Sequence, residues 1–100
     1  MLSQIESKME KTDFQNEVVN RIRQLRIENE VSQIGLANII EVSNGQIGNI
    51  ESPRFQHKYT LKQLYLIAKY FKVPIEYLLT GKNEELNTEN LIKTLIQYDE

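Results

Sequence analysis

Asn44, Gly45, Gly48 and Asn49 are the residues of this chain whose types and spacing could do chemistry. On a helix turning 100° per residue they fall within an arc of about 140°, and Gln46, Ile47, Ile50 and Glu51 take the opposite arc. An asparagine amide carries donors and an acceptor, and can pair in bidentate fashion with N6 and N7 of adenine. Two glycines in one helix lose roughly 2 kcal/mol against alanine with no packing gain in return, so something other than helix stability favours them. Bare backbone at Gly45 and Gly48 would let the helix sit deep in a major groove. A small-residue face packed on another helix or subunit would use the same four residues.

The elements that position this face lie in Ser32 to Glu51, SQIGLANIIEVSNGQIGNIE. A helix from after Ser32 to near Ile40, the break Glu41-Val42-Ser43 and a helix opening at Ser43 have helix-turn-helix spacing. The two helices must cross and share Leu36, Ala37, Val42, Ile47 and Ile50. Ser43 and Gln46 have capping-box spacing, and the second helix stops near Ser52-Pro53. Upstream, Asp13 is the expected N-cap of a helix to about Asn29 that turns Phe14, Val18, Ile22 and Leu25 inward and carries Arg21, Arg23 and Arg26. Downstream, 52–59 reads as a loop. Thr60 with Gln63 caps a helix through Leu64, Ile67, Ala68 and Phe71, and Pro74 takes the first position of a one-turn helix that Gly81 ends. NEELNTEN is a polar linker, and a last helix from about Thr88 to Tyr98 puts Leu91, Ile92, Leu95 and Ile96 on one side. Leu2, Ile5 and Met9 form a short stripe, helical or frayed. Strand signals are nearly absent, and the fold class is all-α.

One hundred residues make one domain with a modest burial fraction. There is no cysteine and one histidine, His57, which excludes disulfides and leaves no histidine-cysteine metal site. No apolar run approaches the roughly 20 residues that span a bilayer, and the N-terminus lacks a secretory segment, so a soluble protein of the reducing cytoplasm is expected. The net charge of −2 hides a gradient: residues 14–80 carry +2, residues 1–13 carry −1 and residues 81–100 carry −3. A mildly basic middle can bind phosphate locally while the whole chain is acidic.

Gln33 and Ser43, at the starts of the two short helices, and Arg54, His57 and Lys58, in the following loop, flank the outward face. Phosphates favour such flanks, and helix N-termini add free N–H groups. A local cap at Gln33 and a solvated loop at Arg54 and Lys58 are the structural alternatives. Glu51 lies on the inner arc and needs a partner, because an unpaired buried carboxylate is expensive. Arg26, whose fork can satisfy both oxygens, is the expected one.

With Arg26, Ser32-Gln33, Leu36-Ala37, Val42-Ser43, Ile47 and Glu51 in place, the pattern resembles the lambda-repressor-like helix-turn-helix family, in particular XRE-type regulators of the Cro/C1 kind. The segment TLKQLYLIAKYFKVPIEYLLTG looks like that family's fourth and fifth helices, so the resemblance covers about residues 14–80. It implies a compact five-helix DNA-binding domain at 14–80 with its helix-turn-helix at 32–52, an N-terminal extension at 1–13, and a linker with an extra C-terminal helix at 81–100. It further implies a homodimer on double-stranded DNA, acting as a repressor. Asn44, Gly45, Gly48 and Asn49 would face the groove, Gln33 would meet phosphate, and Arg26 with Glu51 would form an internal ion pair. Three departures stand out: Glu41 in place of the turn glycine, Gly35 in place of an acidic capping residue, and Pro53 in place of a glycine.

An alternative use of the same domain is an antitoxin-like or partner-controlled regulator whose terminal helices bind another protein. Enzyme activity is not expected, since there is no nucleophile-base pair, metal-ligand cluster or glycine-rich phosphate loop, and no cofactor is implied.

Overall fold

Thr12 and Gln15 open the first helix of the computed structural model, which describes residues 11–100. The Gln15 N–H donates to the Thr12 hydroxyl (3.1 Å), and the Gln15 side-chain carbonyl accepts from the Thr12 N–H (3.0 Å). This reciprocal capping box makes Thr12 the N-cap of helix α1 (Asp13–Glu28), one residue ahead of the expected Asp13. Asp13 sits instead in the first turn, where its charge suits the helix dipole. Val18, Val19, Ile22 and Arg26 are buried, while Phe14 and Leu25 are half-buried. Leu2, Ile5 and Met9 lie outside the described residues.

Ser32 caps helix α2 (Gln33–Ile39) by accepting the Gly35 N–H at 2.9 Å, and α2 buries Leu36 and Ala37. Glu41 then takes a φ of 62°, the left-handed conformation its turn requires. For a residue with a side chain this costs about 1 kcal/mol. A hydrogen bond from the Val42 N–H to the Ala37 carbonyl (2.9 Å) helps to hold the reversal. Helix α3 (Gln46–Glu51) buries Ile47 and Ile50. It starts three residues later than the Ser43 start read from the sequence, and the Ser43-Gln46 capping box does not form. The Ser43 backbone carbonyl, not its hydroxyl, accepts the Gln46 N–H (3.1 Å), and Asn44 and Gly45 form a turn ahead of the helix. Gly45, the N-cap, has no side chain with which to cap. Since it and Asn44 precede the helix, the four outward residues do not share one helix, and only Gly48 carries the cost of a helical glycine, about 1 kcal/mol rather than the roughly 2 kcal/mol of two.

Residues Met1–Lys58 form one compact unit and Tyr59–Glu100 another. This division falls inside the 14–80 span read from the sequence as one domain, and it groups the last helix with the two before it. In the second unit Thr60 and Gln63 form a complete capping box on helix α4 (Leu61–Phe71), which buries Leu64, Ile67 and Ala68. Pro74 is the N-cap, rather than the first residue, of helix α5 (Ile75–Thr80), and Gly81 ends it at a φ of 79°. Buried Glu76 accepts the Leu86 N–H at 3.2 Å, so the polar linker is tied back to α5. Asn87 caps helix α6 (Thr88–Asp99).

The fully buried Tyr98 anchors α6, its hydroxyl donating to the Tyr59 carbonyl at 2.7 Å. The apolar stripe of α6 is thereby divided: Leu91 and Leu95 are half-buried, and Ile92 and Ile96 stay 50% and 57% exposed. Six helices and no strand make up the described residues. Burial holds the Tyr98 phenol protonated well above its ordinary pKa of 10.0, and the nearby Asp99 charge acts in the same sense. In the unfolded chain the phenol ionises near 10, so this contribution to stability is present below that pH and lost as pH rises above it. Tyr98→Phe should cost about 1 kcal/mol at neutral pH in urea unfolding and weaken the alkaline loss above pH 10. Wild-type stability unaffected by that substitution at every pH would contradict this.

Candidate nucleic-acid interface

The site is built outward from the carboxylate of Glu51, at the C-terminal end of α3. Its side chain is 5% exposed. Arg26 of α1 donates through Nε to Oε2 and through Nη2 to Oε1, both at 2.9 Å, which is the bidentate geometry of a charge-assisted pair. Arg26 Nη1 also donates to the Val31 carbonyl (2.9 Å), so one guanidinium joins α1, α3 and the approach to α2. Gln33, the first residue of α2, donates its side-chain N–H to Glu51 Oε1 at 3.0 Å, and Arg23 Nε lies 3.7 Å from the same oxygen. The contributions of Gln33 and Arg23 were missed from sequence. Arg23 stands one helical turn before Arg26, and that three-residue spacing is the available signal.

With Ile47 and Ile50 buried and Glu51 held, α3 has one orientation left to present. Asn44, Gly45 and Asn49 are exposed and Gly48 is half-buried. Asn44 and Gly45 stand in the turn ahead of α3, and Gly48 and Asn49 on the helix itself. No side-chain hydrogen bond within the described residues engages Asn44 or Asn49, leaving both amides open to a ligand. Among the described residues a Cβ added at Gly45 would meet nothing within 4 Å, so none of them requires glycine there on steric grounds. At Gly48 the added Cβ would meet, among the described residues, only Gln33 Oε1, at an ordinary 3.5 Å. No helix of the described residues packs on this small-residue face.

Exposed Ser43 leads into this turn. Behind α3, Lys11 is a buried ammonium missed from sequence, donating to the Ser52 carbonyl (3.1 Å) and the Phe55 carbonyl (2.6 Å). Burial lowers its pKa from 10.5. It clamps the loop that carries exposed Arg54 and His57 and half-buried Lys58. Phe55 and His57 pack edge to face, with ring centres 5.8 Å apart. Among the described residues no group of three His, Cys, Asp or Glu side chains could hold a metal ion, and no helix is long and apolar enough to cross a membrane.

Residues 19–84 match the family model described as a helix-turn-helix domain. The match spans the Glu51 cluster, both short helices and the outward face, and it points to a DNA-binding regulator. Comparisons with curated proteins and with solved structures return no match.

The fork at Glu51 yields a stability test. Glu51→Ala leaves the Arg26 guanidinium buried with a backbone carbonyl as its remaining hydrogen-bond acceptor, and should lower stability by roughly 3–5 kcal/mol in urea unfolding. An unchanged midpoint would show that the pair does not hold α3.

Proposed function

Because the chain belongs to the helix-turn-helix domain family, we propose that it is a sequence-specific transcriptional regulator that places α3 in the major groove of double-stranded DNA. The observation that carries this reading is the pair of exposed amides of Asn44 and Asn49, engaged by no described residue, beside bare backbone at Gly45 and Gly48. Those amides suit adenine edges, and the missing side chains allow close approach. Ser43, Arg54, Lys58 and the second N–H of Gln33 serve as phosphate contacts, which set register without reading sequence. The XRE-type resemblance extends the proposal to a repressor that binds as a homodimer, on half-sites about one helical turn, roughly 34 Å, apart. Occupying the site is sufficient for such a function, and we assign no catalytic residue and no cofactor.

One observation favours a second reading, control by a protein partner. Ile92 and Ile96 of α6 remain exposed and, with Leu61, Leu95, Asp99 and Glu100, line a groove of about 390 Å³. An antitoxin-like regulator would use such a surface.

Selection of binding sites from random duplex DNA, followed by titration at several salt concentrations, separates the two. Wild type should enrich one motif. Asn49→Ala should lose discrimination at one or two base pairs, each worth about 1–3 kcal/mol. Lys58→Ala should weaken all sequences and reduce the salt slope by about 1. No enriched motif, with tight capture of a protein instead, would favour the partner reading.

A further inference from the structure

Gln33 flanks the outward face, yet its amide is oriented in a way that a phosphate contact does not need. The Glu51 carboxylate accepts two hydrogen bonds from Arg26, and an ionised carboxylate has no proton to give. The Gln33 atom 3.0 Å from Glu51 Oε1 must therefore be the nitrogen. This contact removes the usual ambiguity between amide oxygen and nitrogen, and turns Oε1 away from Glu51.

Oε1 then lies 3.5 Å from the Cβ position of Gly48. A Cβ marks the direction in which a residue faces, so the oxygen overhangs the side that Gly48 presents. Among the described residues it is the only atom beyond the local backbone within 4 Å of that position, and none of them donates to it. Gln33 itself is exposed. The bare strip Gly45-Gly48 thus carries one polar side-chain atom of fixed character, an acceptor. Asn44 and Asn49 can each turn an amide either way; Gln33 cannot without putting oxygen against a carboxylate.

We propose that Gln33, locked by Glu51, is a base-reading residue whose Oε1 accepts from an exocyclic amino group, N6 of adenine or N4 of cytosine. The inference rests on the DNA-binding reading above. In the major groove only those two bases offer a donor; guanine N7 and O6 and thymine O4 are acceptors and would repel the oxygen. Phosphate oxygens are acceptors too, so a phosphate can use only the remaining N–H of Gln33.

The experiment takes the duplex selected by wild type and measures full-chain affinity for each single base-pair change, with wild type and Gln33→Ala. At one A·T or C·G pair the wild-type preference should be roughly tenfold. In Gln33→Ala it should fall to within about twofold there and stay intact elsewhere. Replacing that base by its analogue without the amino group, purine for adenine or 2-pyrimidinone for cytosine, should weaken wild type about as much and leave Gln33→Ala unaffected. The analogue that reproduces the loss identifies the base. Equal weakening by Gln33→Ala on every sequence, with all preferences retained, would overturn the proposal and leave Gln33 a phosphate contact. No selected motif for wild type would overturn the DNA-binding reading, and this inference with it. A circular dichroism melt of Gln33→Ala within a few degrees of wild type shows that the fold is kept.

Discussion

One carboxylate, that of Glu51, fixes the geometry on which the rest of the outward face depends. A six-residue helix has too few internal hydrogen bonds to be stable alone. Burial of Ile47 and Ile50 docks α3, but two apolar contacts on a short cylinder leave rotation about its axis loosely defined. The Arg26 fork removes that freedom, because two parallel hydrogen bonds at 2.9 Å constrain direction as well as distance. Removing one partner strands a buried charge, so the cluster is sensitive to single changes in a way that a packed apolar triplet would not be. The same carboxylate reaches the surface through Gln33, linking the interior of the unit to its outermost polar atoms.

Much of this was legible from residue types. A carboxylate on the apolar arc of one helix and an arginine on the basic helix before it leave few other ways to satisfy both, and they do meet. Thr60-Gln63 capping and the Gly81 stop follow from local chemistry, and both occur where expected. Ser43-Gln46 was misleading, since its capping-box spacing competes with the turn-forming pair Asn44-Gly45 and the turn wins. Glu41 in the left-handed region follows from the length of the break, which forces a reversal whatever residue occupies it. Lys11 with Ser52 and Phe55, and Tyr98 with Tyr59, were not legible, because each joins positions about forty residues apart through a backbone carbonyl, which has no sequence signature. The stripe on α6 reads alike for packing and for docking, and only the structure divides Leu91 and Leu95 from Ile92 and Ile96.

The outward face is short. Two asparagines, two glycines and the Gln33 oxygen offer few groups with which to read bases, and the positive charge beside them is modest. Such a protein would draw its affinity from close backbone approach and a small number of phosphate contacts. The acidic residues are concentrated outside 14–80, where they oppose binding through the general field more than through local contacts.

The central claim is that α3 gives up helix stability in exchange for groove access, and Gly48 tests it most directly. Gly48→Ala adds a methyl at ordinary van der Waals distance from Gln33 Oε1, its one neighbour among the described residues. The account predicts a gain of about 1 kcal/mol in urea unfolding, together with at least tenfold weaker binding to the selected duplex at fixed salt. A variant that is more stable and binds as tightly as wild type would contradict it, showing that the glycine face does not enter the groove.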